Sequence, residues 1–259
     1  MLRRTYKLNF SPLDRRLARL DLKTLTLSLS DLLMPRACLC CGRQLLPSEK
    51  HLCCVCLADL PFTHFEAMPH NPMADRLNAL LDGAPAYSRA AALFYYKEGS
   101  YGRITQALKY GRNFRAGRYF AGLLAERLAE YDFWRQTDVV CPVPLHFSRR
   151  FKRGYNQSEI IAREIARRLG ALYEPDLLKR VRHTATQTKL SGEERRKNVH
   201  GAFAVREGAN ASLQAARILL IDDVFTTGAT IAACCEAIRK HFGDSVRISV
   251  ATLAFADNN

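Results

Sequence analysis

An apolar run followed by two acids and a threonine-rich loop has the clearest chemical potential in this sequence. Ile218–Ile221 is entirely apolar, and the adjacent carboxylates Asp222 and Asp223 come directly after it. The loop that follows consists of Thr226, Thr227, Gly228, Ala229 and Thr230. Backbone N–H groups at the start of a helix bind phosphate, and paired carboxylates accept hydrogen bonds from sugar hydroxyls and favour a nearby Mg²⁺. The segment therefore predicts a site for a phosphorylated sugar.

A second stretch joins the end of a predicted strand to a run of cations. The sequence Cys-Pro-Val-Pro-Leu-His covers residues 141–146 and includes Pro144 and Leu145. Its two X-Pro bonds lower the cost of a cis peptide bond at this point. The cations that follow are Arg149, Arg150, Lys152 and Arg153. They suit a pyrophosphate group or a nucleic-acid backbone, although a simple basic turn would also explain them.

A third stretch, residues 184–203, is long, polar and basic. Its cations Arg195, Arg196 and Lys197 could reach a bound anion if the segment closed over the site and excluded water. A solvated loop or a basic surface helix is the alternative interpretation.

Paired cysteines near the start of the chain predict a metal site. Cys38 and Cys41 form one C-x-x-C motif, and Cys53 and Cys56 form another. Four thiolates complete the tetrahedron that structural zinc prefers, and such a closed site leaves no position for a substrate. A shifted ligand set using neighbouring residues, an iron–sulfur centre, or redox thiols without metal are the alternatives left open. The neighbours concerned are Cys40, His51 and Cys54.

Alternating strands and helices must position these groups. Strands are predicted at residues 88–96, 138–143, 217–224 and 246–255, and helices at 73–81, 102–110, 116–131, 156–169 and 230–241. This alternation indicates an α/β fold with a parallel sheet that is covered on both faces. Asn156 is predicted to cap its helix. The buried interior is expected to include Trp134, Cys141, Cys234 and Cys235.

Composition limits the possible partners and divides the chain. The net charge of +14 is concentrated in residues 1–24, 149–168 and 179–200, which favours an anionic partner over a merely solvated surface. No apolar run approaches the length of a transmembrane helix and no secretion signal is recognised, so we expect a cytoplasmic protein without a membrane span. The predicted divisions are a basic extension at 1–33, a zinc module at 34–61, a connector at 62–87 and the α/β domain at 88–259.

Five motifs, taken in order, resemble the ComF proteins, which include the GntX proteins. They are the paired cysteines, Cys-Pro-Val-Pro-Leu-His, Arg-Gly-Tyr-Asn-Gln, Thr-x-x-Gln-Thr-x-Leu-Ser and Asp-Asp-Val-Phe-Thr-Thr-Gly-Ala-Thr. The last of them is similar to the motif of type I phosphoribosyltransferases that binds 5-phosphoribosyl-1-pyrophosphate (PRPP). The resemblance implies a phosphoribosyltransferase-like domain that binds PRPP with Mg²⁺. It also implies a pyrophosphate loop containing Pro144, Leu145, Arg149 and Arg153.

The function implied is in competence, DNA uptake or the use of external DNA. Phosphoribosyl transfer to an acceptor would give Asp222, Asp223 and Arg195 catalytic roles, but the sequence decides neither the acceptor nor whether a reaction occurs. The alternative is a non-catalytic sensor of PRPP or nucleotide that binds single-stranded DNA and acts with protein partners in DNA uptake. In both cases the basic loops are candidates for nucleic-acid contacts.

Overall fold

The computed structural model describes residues 36–81, 89–96, 99–145, 154–182, 201–208, 213 and 216–257. The chain divides between Ala58 and Asp59 into two units. In the first unit, the described residues contain one short helix, α1 (Cys54–Ala58), and an isolated bridge between Ala37 and Gln44. The predicted basic extension lies outside the described residues.

The second unit is an α/β domain. Its helices are α2 (Pro72–Leu80), α3 (Gly102–Lys109), α4 (Phe114–Leu128), α5 (Asp132–Arg135), α6 (Gln157–Leu169) and α7 (Ala229–Phe242), with a 3₁₀ turn at Phe65–Ala67. Its strands are β1 (Ala90–Tyr95), β2 (Val139–Pro142), β3 (Leu172–Tyr173), β4 (Leu178–Arg180), β5 (Phe203–Val205), β6 (Arg217–Phe225) and β7 (Arg247–Phe255).

Five of these strands form one parallel sheet in the order β1-β7-β6-β2-β3. The central strand β6 is buried along its apolar run because its side chains on both faces are covered. In the register of the sheet, Ile221 of β6 lies opposite Pro142 of β2, and Asp222 lies opposite Thr252 of β7. The carboxyl ends of three strands therefore meet at one edge, which is where open α/β sheets bind ligands. The predicted α/β architecture is confirmed.

Most element predictions agree with the structure to within two residues, but three strands were missed. Strand β3 has two residues, and β4 and β5 have three residues each and pair as a separate antiparallel ribbon. Such short segments contain too few residues for alternation to show in the sequence. The ribbon matters for the site because β4 precedes residues 183–200 in the sequence and β5 follows them.

The predicted interior is confirmed for the residues singled out. Trp134 is fully buried, and its indole Nε1 donates a hydrogen bond to the carbonyl oxygen of Glu66 at 2.9 Å. Cys141, Cys234 and Cys235 are fully buried as well. Burial raises the pKa of Cys141 and of Cys235 to about 12, so these thiols pack as apolar groups and are not nucleophiles. In the described part of the chain, no helix has both the length and the apolar character needed to cross a bilayer.

Candidate functional site

The acidic pair lies at the carboxyl end of β6, where two neighbouring elements hold it in place. Ser158, in the first turn of α6, donates a hydrogen bond from its Oγ to Asp222 Oδ1 at 2.9 Å. The backbone N–H of Asp223 donates to the same oxygen, also at 2.9 Å. The other acid forms an ion pair, with Asp223 Oδ2 lying 3.0 Å from Lys109 Nζ at the end of α3. The two carboxylates are thus fixed by different partners before any ligand binds.

The electrostatics of the pair favour a proton on Asp222. Burial, and then the negative charge of Asp223, raises the pKa of Asp222 from its ordinary 3.8 to about 7. The hydrogen bonds from Asp223 N–H and Ser158, and the charge of Lys109, act in the opposite direction. A bound cation, or donors from a sugar, would stabilise the ionised form and make Asp222 a better acceptor.

The loop after β6 has the geometry of an anion cradle. Gly228 caps α7 in the left-handed region at φ 80°, and a Cβ atom there would lie 2.6 Å from Cζ of the Phe225 ring. Glycine is therefore required both by the backbone conformation and by the space. Among the described residues, no side chain caps the start of α7 in the usual way. Apart from the Ala229 N–H, which donates to Thr227 Oγ1 at 3.5 Å, the first-turn N–H groups of this fourteen-residue helix can therefore face an anion.

One cavity of about 340 Å³ brings these groups together. The predicted residues along its wall are Pro144, Leu145, Asp222, Asp223, Thr226 and Thr230. Sequence reasoning missed five further polar residues, namely Tyr96, Lys109, Gln157, Ser158 and Arg180. The rest of the wall is Val143, Val224 and Ala256. Predicted residues Thr227, Gly228 and Ala229 lie in the adjoining turn.

Several predicted cations lie outside the described residues, so the structure says nothing about them. They are Arg149, Arg150, Lys152, Arg153, Arg195, Arg196 and Lys197. Two described residues that precede these stretches in the sequence line the cavity. Leu145 lines the cavity just before the first stretch, and Arg180 lines it shortly before the second.

Asn156, in the Arg-Gly-Tyr-Asn-Gln motif, links the start of α6 to the end of β2. Asn156 caps α6, as predicted, by accepting a hydrogen bond from the Ser158 N–H at 3.2 Å. Its Nδ2 also donates to the carbonyl oxygen of Val143 at 3.0 Å. One buried side chain thus fixes both the start of α6 and the chain that leads to Pro144. The cis bond that the two prolines made less costly is not formed, since every peptide bond within the described residues is trans.

A further missed residue, Arg76 of α2, contacts the threonine loop after β6 from outside the cavity. Its Nη1 donates to the carbonyl oxygen of Thr226 at 3.1 Å, and its Nη2 lies 3.0 Å from Asp257 Oδ1. The guanidinium also lies over the Phe255 ring, 5.3 Å from its centre. No motif in the sequence could have revealed this contact, because Arg76 is 150 residues away from Thr226 along the chain.

The first unit contains the predicted four-cysteine cluster. The sulfur atoms of Cys38, Cys41, Cys53 and Cys56 all lie within 4.8 Å of one another, and those of Cys41 and Cys53 are 3.8 Å apart. Four sulfurs bound to one zinc at about 2.3 Å would be spaced about 3.8 Å apart, so the donor set fits a structural zinc. Among the described residues, this is the cluster that could hold a metal, and neither Cys40, His51 nor Cys54 belongs to it.

Backbone hydrogen bonds prepare two of these sulfurs for a cation. The N–H of Cys53 points at Cys38 Sγ and the N–H of Cys56 points at Cys53 Sγ, both at 3.4 Å. Burial alone would raise the pKa of Cys38, but hydrogen bonds from the backbone of Cys41, Cys53 and Cys40 outweigh it and lower the pKa to about 6. Burial, and then the neighbouring thiols, raises the pKa of Cys56. Glu49 braces the module by accepting from the N–H groups of Leu46 and Cys54, each at 2.7 Å.

Two known proteins of similar sequence align with most of this chain, and a third aligns with less than half of it. Competence protein F of Haemophilus influenzae is 28% identical over 209 residues, which are 78% of this chain and 90% of that protein. The DNA utilization protein YhgH of Escherichia coli K12 is 29% identical over 222 residues, or 82% and 87% of the two chains. YhgH of Salmonella typhimurium is 32% identical over a shorter stretch of 111 residues, 43% and 47% of the two chains. No family model matches the chain.

Among solved structures, an adenine phosphoribosyl transferase from Trypanosoma brucei overlaps with 71% of this chain and 80% of its own. The sequence identity is 15% and the TM-score is 0.33. An overlap this loose does not support a class for the protein, which is instead assigned from its own sheet and motifs.

The parallel sheet flanked by helices, with the acidic pair and the threonine loop at its carboxyl edge, defines a phosphoribosyltransferase-like fold. A four-cysteine cluster in the first unit accompanies it. Together with the relatives, these features support assignment of the chain to the ComF family.

Proposed function

We propose that the cavity binds PRPP and that the protein acts in competence or the use of external DNA. The observation that carries the proposal is the convergence of three different groups on one cavity of about 340 Å³. These groups are the paired carboxylates of β6, the turn that opens α7, and the proline-containing loop after β2. Each suits one part of PRPP, which consists of a ribose between a phosphate and a pyrophosphate.

The expected contacts follow from charge. Asp222 and Asp223 would repel phosphate, so they accept hydrogen bonds from the ribose hydroxyls, and the turn Thr226–Thr230 binds the 5-phosphate. Pro144 and Leu145 line the pyrophosphate end, where Arg149 and Arg153 are close in sequence. The acidic pair would help to hold Mg²⁺, which would supply positive charge beside the pyrophosphate.

Phosphoribosyl transfer is the reaction that such a complex would support. The bond between C1 of ribose and the pyrophosphate oxygen breaks, and an acceptor nucleophile forms the new bond to C1. The protein contributes positioning and charge stabilisation, with Asp222 and Asp223 on the sugar and Arg195 on the departing pyrophosphate. Arg195 lies in the segment between β4 and β5, and Arg180, the last residue of β4, lines the cavity. That connection supports a role for the segment in covering the ligand.

The biological setting is inferred from the relatives. Competence protein F and the DNA utilization proteins are named for competence and for DNA utilization. We infer the same setting for this chain, in the cytoplasm and together with protein partners of DNA uptake.

Calorimetry with PRPP and Mg²⁺ tests the proposal. The wild type should bind PRPP, and Asp222→Ala or Asp223→Ala should weaken binding by at least about a hundredfold, since each removes hydrogen bonds to a charged group. Asp244→Ala, an exposed acid just after α7, is the matched control and should bind as the wild type does. No binding to the wild type would reject the proposal. Release of pyrophosphate from PRPP, screened with candidate acceptors with and without DNA, would then identify a reaction.

A second candidate function, binding of single-stranded DNA, is favoured by an exposed surface around the start of α4. Residues 99–125 contain no acid, and their exposed cations are Arg103, Arg112, Arg115 and Arg118. Within this stretch, the side chain of Tyr110 is 73% exposed and that of Phe114 is 37% exposed. Exposed rings interleaved with cations can stack bases while neutralising phosphates.

Filter binding or fluorescence anisotropy across a salt series tests this second function. Affinity for a single-stranded oligonucleotide should fall steeply with salt, and Tyr110→Ala should weaken binding by about 1–3 kcal/mol without changing the salt slope. Arg115→Ala should reduce the slope by about one. Arg135→Ala, on α5, serves as the control. Binding that does not respond to salt, or equal affinity in all variants, would contradict this function for the surface.

A further inference from the structure

We propose that Lys109 binds the ligand and supplies a fixed positive charge in the cavity. This charge would make the binding of PRPP less dependent on Mg²⁺. This inference rests on the proposed binding of PRPP. It concerns a residue that no motif singled out and that reaches the site from α3, a helix that precedes β2 in the sequence.

The position of Lys109 is specific. It is the last residue of α3, where the negative end of the helix dipole stabilises a cation. Its Nζ lies 3.0 Å from Asp223 Oδ2, and both side chains are largely covered, at 26% and 12% exposure respectively. Lys109 also lines the cavity that contains Asp222 and Thr226. A partly buried ion pair at the wall of a ligand cavity is screened much less than a surface pair.

The backbone that carries Lys109 is fixed by the same segment that holds the other acid. Tyr155 donates a hydrogen bond from its hydroxyl to the carbonyl oxygen of Leu108, and its ring packs edge-on against Phe114. Three residues further on, Ser158 donates to Asp222. Tyr155 and Ser158 therefore fix the partners of both carboxylates, so the amine is held at the site before a ligand arrives.

Charge balance explains what such an amine would do. Two adjacent carboxylates disfavour a ligand that itself carries several negative charges, and a divalent cation is one remedy. An ammonium group has three N–H donors, so it can bridge a carboxylate and a ligand oxygen at the same time. With Lys109 beside Asp223, part of the neutralisation is supplied by the chain. Binding of PRPP should accordingly persist at low Mg²⁺, and it should come to depend on Mg²⁺ once the amine is removed.

Calorimetric titration of PRPP across a Mg²⁺ series, from metal-depleted buffer to saturation, tests the inference. Without Mg²⁺, Lys109→Gln should bind PRPP about ten- to a hundredfold more weakly than the wild type, which is the usual effect of losing a charge-assisted hydrogen bond. Saturating Mg²⁺ should restore most of the loss. Lys109→Arg keeps the charge and should remain within a few-fold of the wild type. Lys240→Gln, an exposed lysine near the end of α7, is the matched control and should change nothing.

The outcomes separate this inference from the proposed function. If the wild type binds no PRPP at any Mg²⁺ concentration, the proposed function fails. If the wild type binds and Lys109→Gln has the same Mg²⁺ dependence, the role of Lys109 is refuted while the proposed function stands. Should Lys109→Gln fail to fold, acetylation of wild-type lysines read by mass spectrometry replaces it. PRPP without Mg²⁺ should then protect Lys109 and leave Lys240 unprotected, and equal labelling of Lys109 with and without PRPP would refute the inference.

Discussion

At the scale of single residues, the site constrains the environment of Asp222 and the residue type at position 228, which is Gly228. Asp222 is half-buried beside a second acid and accepts a hydrogen bond from Ser158. Gly228 has a backbone conformation, and a neighbouring ring, that exclude a side chain. Two neighbouring carboxylates are an unfavourable choice for stability alone, which is typical of residues in a binding site.

Replacing Asp222 with asparagine should change how stability depends on pH. The pKa of Asp222 is about 7 in the folded protein against 3.8 ordinarily, so between these values the folded state keeps a proton that the unfolded state releases. The free energy of unfolding of the wild type should therefore fall as pH rises from about 4 to about 7. Asp222→Asn has no carboxyl proton to lose. Its free energy of unfolding should therefore rise by about 2 kcal/mol relative to that of the wild type between about pH 5 and about pH 8. Urea denaturation, followed by the fluorescence of Trp134, measures the difference.

Asp244→Asn is the control for that pH series. It should track the wild type at every pH, because Asp244 is exposed. An Asp222→Asn variant that kept a constant offset from the wild type across the series would show that Asp222 ionises as an ordinary carboxyl group does.

Substituting alanine at Gly228 should cost more than the same change at another left-handed glycine. Gly170 has φ 71° and open space where a Cβ would lie, with no atom within 4 Å, whereas a Cβ at Gly228 meets the Phe225 ring at 2.6 Å. We expect about 1 kcal/mol of destabilisation for Gly170→Ala and at least about 2 kcal/mol for Gly228→Ala. The same denaturation assay compares them. Equal losses would mean that the ring moves aside freely, and that backbone conformation alone requires glycine at 228.

At the scale of elements, the start of α6 organises the edge of the sheet where the cavity lies. Asn156 caps the helix and holds the chain after β2, while Ser158 holds the carboxyl end of β6. The cap was predictable, because asparagine before a periodic apolar pattern is a common helix start. The bond to Val143 was not predictable, because it depends on how α6 packs against β2.

Comparing two capping asparagines tests this dual role. Asn113 caps α4 by accepting from the Ala116 N–H at 3.0 Å, and Asn156 caps α6 and also donates to Val143 at 3.0 Å. Asn113→Ala should cost about 1 kcal/mol, as the loss of a cap does. Asn156→Ala should cost about 2–3 kcal/mol, because it also leaves a buried carbonyl oxygen without its donor. Similar losses in chemical denaturation would mean that the bond to Val143 contributes nothing to stability.

At the scale of the whole molecule, the two units are stabilised by different means. The second unit has a large apolar interior built around β6 and β7. The described part of the first unit, residues 36–58, buries few apolar side chains and contains four converging thiols. We therefore expect so small a segment to gain its folding free energy mainly from a metal held by these thiols.

Metal removal should therefore affect one unit and spare the other. Elemental analysis should find about one zinc per chain. A zinc chelator should make residues 36–58 sensitive to trypsin, at Arg43 and Lys50, while the denaturation midpoint reported by Trp134 stays unchanged. Cys53→Ser should lose the metal and Cys54→Ser should keep it, since Cys54 lies outside the cluster. Zinc retained by Cys53→Ser and lost by Cys54→Ser would establish a shifted ligand set.

The amino-acid sequence by itself determined the α/β class, the order of the main elements, the acidic pair with its threonine loop, and the four cysteines. These are local patterns, because hydrophobic periodicity, a helix cap, a turn glycine and C-x-x-C spacing each act over a few neighbouring residues. Tertiary structure alone decided that Lys109, Ser158 and Arg180 join that pair at one cavity and that Arg76 holds the loop. Such contacts link residues far apart in the chain, 64 positions in the case of Ser158 and Asp222, and form when the sheet and helices pack.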